Sequence, residues 1–143
     1  MERIPEFVIN HTFLFSLLFT ILTLLMWNLF SDVLSGIKTL LPDEVTRLIN
    51  HEDAKVVDLR PQADFEKGHI IDAINISADQ LAGQLDKLKK YKENGIIFCC
   101  ASGGLSAKEA RKLMNEGYEK VYSLKGGLLT WQNASLPLTK GLK

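Results

Sequence analysis

Gly95 to Gly117 reads GIIFCCASGGLSAKEARKLMNEG. Ile96-Ile97-Phe98 is a short apolar run of the kind a buried strand shows. The chain then breaks at Cys99-Cys100-Ala101-Ser102-Gly103-Gly104. Ser106, with Glu109 one helical turn on, forms a capping-box pattern and predicts a helix start at Ser106. Ala110, Leu113 and Met114 recur at helical spacing, and Gly117 stands where a C′ glycine ends a helix. The stretch thus sets a cysteine between the end of a strand and the N-terminus of a helix. The free N–H groups and positive dipole end of a helix favour an anion there. A thiolate is such an anion, and it is the nucleophilic form of cysteine.

Outward from this stretch, strands and helices alternate. Ile37 to Leu41 predicts an edge strand, and Pro42 suits the first turn of a helix with Val45, Leu48 and Ile49 as its apolar face. Lys55 to Leu59 is a strand, Pro61 to Lys67 a short helix closed by Gly68, and Ala73 to Ile76 another strand. Ser77 and Gln80 make a second capping box, ahead of a helix lined by Leu81, Leu85 and Leu88. Val121 to Leu124 is the last strand, and Leu128 to Gln132 opens a last helix that ends before Pro137. This alternation indicates an α/β fold with a parallel sheet covered on both faces. Sites in such sheets form at the carboxyl ends of strands, where Cys100 lies.

The 143 residues allow one domain of ordinary size plus an appendage. Lys and Arg number 17 against 17 Asp and Glu, so no basic stripe suggests nucleic acid and no like-charge run a solvating tail. The appendage is apolar. No Asp, Glu, Lys or Arg occurs between Phe7 and Ser31. As a helix, residues 12–30 are about 28 Å long, close to the ~30 Å hydrocarbon core of a bilayer. Trp27 lies near the far end, where an interfacial aromatic is expected, and Asn28 sits beside it. A cleaved signal peptide is the alternative, with Val33-Leu34-Ser35 as its cleavage site. It wants a basic n-region and a shorter apolar core, whereas Arg3 is offset by Glu2 and Glu6.

The expected division is therefore an N-terminal tail at 1–11, a transmembrane helix at 12–30, a linker at 31–37 and a domain at 38–143. Lys38 and Arg47 on the domain side, against Arg3 and the terminal amine, favour a single pass of the inner (plasma) membrane with the domain in the cytoplasm. The two cysteines are adjacent and cannot close an ordinary disulfide loop, which suits a reducing compartment.

The order of DLRPQADFEKGHI (58–70), AINIS (73–77), CCASGGLSAKEA (99–110), GYEKVYSLKGG (117–127) and Trp131 resembles the rhodanese family of single-domain sulfurtransferases. The resemblance spans roughly residues 38 to 140. It implies a doubly wound parallel sheet of the rhodanese type, here preceded by the N-terminal transmembrane helix. It also implies sulfur transfer through a Cys100 persulfide, from a sulfane-sulfur donor to a thiol acceptor, with no cofactor and no metal. The active family loop runs cysteine, two variable residues, glycine, one variable residue, arginine, serine. Here Cys100, Gly103 and Ser106 match, Ala101, Ser102 and Gly104 fill the variable places, and Leu105 replaces the arginine. By this resemblance Cys100 is the nucleophile and Ala101, Ser102, Gly103, Gly104, Leu105 and Ser106 form the persulfide-binding loop.

The lost arginine removes a bidentate partner for an oxyanion donor. Weak thiosulfate activity is expected, with a persulfide as the better donor and a thiol or a protein persulfide as the partner. The competing reading is a catalytically inactive docking module at the membrane that binds other membrane proteins. Asp58 and Arg60 resemble the family's Asp-x-Arg and alternate onto one side of their strand, where they brace the site. His69 is expected as scaffold, Cys99 as a buried strand residue, Gly126-Gly127 as a point of close backbone approach and Trp131 as packing. A phosphatase loop needs five residues between cysteine and arginine. Ser106 occupies the arginine's place in that spacing, which excludes it. No glycine-rich nucleotide fingerprint is present, and two cysteines without a nearby histidine make no zinc site.

Overall fold

The computed structural model describes residues 11–34 and 36–142. The chain divides into two compact units, with the boundary between Leu34 and Ser35. The first unit is helix α1, Thr12–Leu34, of 23 residues. Ser16, Thr20 and Thr23 turn their hydroxyls back onto the carbonyls of Phe13, Ser16 and Phe19, at 2.9, 2.8 and 2.8 Å. The helix thereby satisfies these polar groups internally. Its large apolar side chains from Phe13 to Trp27 are exposed. Counted over the described residues, no helix is long and apolar enough to cross a membrane. The helix expected over 12–30 is thus present as a helix, and the fold does not establish a membrane span. Apart from His11, the expected tail at 1–11 lies outside the described residues, as do Ser35 of the expected linker and the side chain of Asn28.

The second unit holds a five-stranded sheet. Its elements run β1 (Lys38–Leu40), α2 (Pro42–Glu52), β2 (Lys55–Asp58), α3 (Gln62–Lys67), β3 (Ile74–Asn75), a 3₁₀ helix (Leu81–Tyr91), β4 (Ile96–Cys99), α4 (Gly104–Asn115), β5 (Val121–Leu124) and α5 (Gly127–Asn133). The strand order is β1-β5-β4-β2-β3, and every adjacent pair is parallel. Strand β1 is at an edge, as its sequence suggests, and β4 is central. All four residues of β4 are buried, as an apolar run in a sheet covered on both faces requires.

One core holds Val57, Phe98 and Val121 of the sheet with Leu81 and Leu88 of the 3₁₀ helix and Ala110 and Leu113 of α4. The other holds Val56, Ile97 and Leu124 with Val45 of α2, Phe65 of α3 and Leu128 and Trp131 of α5. The connection after β4 therefore leaves to one face, while those after its neighbours β2 and β5 leave to the other. Such a reversal opens a crevice at the carboxyl end of the strand. Cys100 is the first residue past that end.

Two predicted helix starts are corrected. Helix α4 begins at Gly104, not at Ser106, because Gly103 adopts φ +99° and turns the chain into the helix early. Ser106 is buried, and Glu109 pairs with Lys112 at 2.7 Å instead of reaching back to the helix start. The end of α4 does follow its sequence. The N–H of Gly117 (φ +87°) donates to the Met114 carbonyl, and that of Tyr118 to the Leu113 carbonyl, the paired bonds of a glycine-terminated helix. The helix expected from Ser77 onward is instead the 3₁₀ segment, kinked at Gln84. Ser77 offers its carbonyl to the Gln80 N–H, and Gly83 weakens any α-helix across that stretch.

Candidate active site

Cys99 and Cys100 fall on opposite sides of the sheet, as successive strand residues must. Cys99 joins the core with Ile97, Leu124 and Trp131, and Cys100 that with Phe98 and Val121. Burial, reinforced by the Asp58 carboxylate beside it, pushes the Cys99 thiol well above its ordinary pKa. Cys99 therefore stays protonated and offers no nucleophile.

The sulfur of Cys100 meets a different setting. Its Sγ accepts the N–H of Gly103 at 3.1 Å and lies 3.7 Å from the Ser106 hydroxyl, to which its S–H donates. Ser106 in turn donates to the Gly103 carbonyl at 2.8 Å and shares a 2.8 Å hydrogen bond with Ser123 of β5. The left-handed backbone of Gly103 turns its N–H back onto the sulfur. The sulfur thus sits at the first turn of a twelve-residue helix, where unpaired N–H groups favour negative charge.

Helix α5 fixes the loop from the other side. The N–H of Leu128 donates to the Cys100 carbonyl at 2.8 Å, and that of Leu129 to the Ala101 carbonyl at 3.3 Å. This approach requires Gly127, with φ +61°, because a Cβ there would overlap the Cys100 and Ala101 backbone.

Asp58 and Arg60 come together beside the loop. The Asp58 carboxylate is fully buried and accepts Arg60 Nε at 3.0 and 3.1 Å and Nη2 at 2.6 Å. Arg60 Nη2 also donates to the Gly68 carbonyl at 2.8 Å, and Asn75 ties down the carbonyls of both residues. Burial pulls the Arg60 pKa down, but the hydrogen bonds and charge of Asp58 outweigh it and hold it above its usual value. Removing Arg60 would strand the Asp58 charge in a dry place. His69 is buried, stacked on Phe65 with ring centres 3.7 Å apart and bonded through Nδ1 to the Phe65 carbonyl.

A family model for the rhodanese-like domain matches residues 41–134. The chain belongs to the rhodanese-like family. The uncharacterized protein YibN of Escherichia coli K12 is 36% identical over 142 residues, spanning 99% of both chains. A sulfurtransferase of Allochromatium vinosum is 30% identical over 92 residues, 64% of this chain and 84% of that one. Among solved structures, a thiosulfate sulfurtransferase of Pseudomonas aeruginosa superposes with a TM-score of 0.66 over 73% of this chain and 20% of that one. At 24% identity that likeness speaks for the fold alone.

Within this rhodanese-like loop, Ala101, Ser102 and Gly104 are exposed, Gly103 is half-buried and Ser106 is fully buried. Leu105, in the place of the family arginine, is 41% exposed on the first turn of α4. A longer side chain has room there. Lys108 is exposed. The residue that sequence reading passed over is Ser123. Its signal was present: a small polar residue in alternation with Val121, on the face of β5 that the sheet buries.

Proposed function

We propose that this rhodanese-like protein is a sulfurtransferase that carries sulfane sulfur as a Cys100 persulfide. The observation that carries the reading is the Cys100 sulfur held by the Gly103 N–H at the start of α4. In the first step the Cys100 thiolate attacks the outer sulfur of a donor persulfide, R–S–SH. The donor S–S bond breaks, a new one forms to Cys100, and R–S⁻ leaves. In the second step an acceptor thiolate attacks the outer sulfur of the Cys100 persulfide. It takes that sulfur and returns Cys100 to a thiolate. Both steps balance without an oxidant or reductant.

Leu105 supports a thiol persulfide over thiosulfate as the donor. The thiolate that leaves a persulfide carries no oxygens for a guanidinium to pair with, whereas the leaving group of thiosulfate does. A recess of about 250 Å³ lies beside Ala101 of the loop, lined in part by Arg60, Lys67, Leu128 and Gln132. Asp58 and Arg60 serve to brace this side of the sheet.

The reading extends to the N-terminal helix, which is proposed as a single-pass anchor that leaves the domain in the cytoplasm. The uncharged run from Phe7 to Ser31 and the large apolar side chains exposed along α1 support it. So do the hydroxyls folded back onto helix carbonyls, which suit a solvent without hydrogen-bonding partners.

The test of transfer is a two-stage experiment. The protein is loaded from a small-molecule persulfide, freed of donor and mixed with a thiol. Persulfide on the thiol and a regenerated Cys100 thiol are the expected outcome. Failure of every donor to load Cys100 would favour the competing reading, an inactive module that docks other membrane proteins.

A further inference from the structure

Ser123 is 1% exposed and lies beside Phe98 in the register of β5 with β4. Its face of the sheet otherwise carries Val57, Ile96, Phe98 and Val121. A hydroxyl in such surroundings destabilises the fold unless it is hydrogen-bonded. Its bond runs to Ser106 Oγ at 2.8 Å. Ser106 does not need Ser123 as an acceptor, because the Gly103 carbonyl already takes the Ser106 proton at 2.8 Å. What Ser123 supplies is a donor.

We propose that Ser123 is a positioning residue for Cys100: by donating to Ser106 Oγ, it leaves the Ser106 proton only the Gly103 carbonyl and the Cys100 sulfur as acceptors. In the thiol form the Cys100 S–H donates to Ser106, and the Ser106 proton rests on Gly103. Once the sulfur is an anion, the Ser106 hydroxyl turns to it and adds a second hydrogen bond to that of the Gly103 N–H. The abandoned Gly103 carbonyl still holds the Ala107 N–H at 3.3 Å. Hydroxyls aligned in a chain polarise one another and strengthen the terminal bond. The inference rests on Cys100 being the nucleophile proposed above.

The test is the pH profile of Cys100 alkylation by iodoacetamide in the full-length protein. Fragment mass spectrometry separates Cys100 from Cys99. Ser106→Ala and Ser123→Ala are each expected to move the midpoint up by about 0.5 to 1 pH unit, the scale of one hydrogen bond to a charged group. Ser123→Thr keeps the hydroxyl and is expected to keep the wild-type profile. The double Ala variant is expected to shift no further than Ser106→Ala, because both act through one hydroxyl. Thermal melts confirm that each variant is folded. An unmoved profile in folded Ser123→Ala overturns the proposal, and so does a double variant whose shift is the sum of the two. Alkylation reads the hydroxyl chain even in a protein that takes up no sulfur. Shifted single variants alongside a wild type that never loads would support the chain and overturn the sulfur-transfer reading.

Discussion

Gly127 lies against the carbonyl of Cys100, and the next N–H along, that of Leu128, donates to the same oxygen at 2.8 Å. The site loop is therefore built by two segments: α4 holds the sulfur and the start of α5 holds the backbone. Gly127→Ala is expected to destabilise the domain by about 2 kcal/mol or more, from a left-handed backbone and the overlap with the Cys100 carbonyl. That corresponds to a fall in melting temperature of roughly 8 °C or more. Thermal unfolding checks it, and an unchanged midpoint would count against the close approach.

Cys99 gives a pH prediction. Its thiol pKa is raised in the folded state, by burial first and then by Asp58. Below the ordinary thiol value, about 8.5, folded and unfolded chains both keep the proton and the site adds no pH dependence. Above it the unfolded chain loses the proton that the folded chain retains, so stability falls as pH rises. The expected slope from this site is about 1.4 kcal/mol per pH unit. Cys99→Ala should remove that slope while lowering stability near neutral pH. Denaturant titrations of both proteins from neutral to alkaline pH check the difference between them.

Most of the fold was legible because its periodicities are local. Ile96-Ile97-Phe98, Val56-Val57 and Val121-Leu124 announce buried strands, and Pro42 and Gly117 mark helix ends by their own backbone chemistry. What failed depended on partners distant in sequence. Ser106 looks like a helix cap, but its hydroxyl is drawn inward by Ser123 across 17 residues, and Gly103 starts the helix in its stead. The 3₁₀ form of Leu81–Tyr91 was hidden because Leu85 and Leu88 fit either helical period. At the site, the strand-end cysteine and its glycine were readable from spacing. The alternation of Ser123 with Val121 marks it as buried, but a lone serine in a strand names no partner.

The proposed donor preference is tested at Leu105. Leu105→Arg is expected to raise thiosulfate:cyanide sulfur transfer severalfold or more, because a guanidinium on the exposed first turn of α4 can pair with the sulfonate oxygens. Steady-state rates with thiosulfate check this. A natural protein that already matches arginine-bearing family members would contradict the role given to Leu105.

The anchor is tested by extraction and protease access. Detergent should release the protein from membranes, whereas high salt or alkaline carbonate should not. In spheroplasts, added protease should spare the C-terminal domain until the membrane is broken. Release by carbonate would remove the anchor, and digestion of the domain in intact spheroplasts would reverse its orientation.

The Cys100 sulfur, held by the Gly103 N–H, is proposed to accept a sulfane sulfur. Intact-mass measurement after exposure to a persulfide donor tests it most directly, with wild type, Cys99→Ser and Cys100→Ser side by side. The expected result is a gain of one sulfur atom in wild type and Cys99→Ser, reversed by reductant, and no gain in folded Cys100→Ser. Wild-type loading of the Cys100→Ser protein, or no loading of the wild type by any donor, would contradict it.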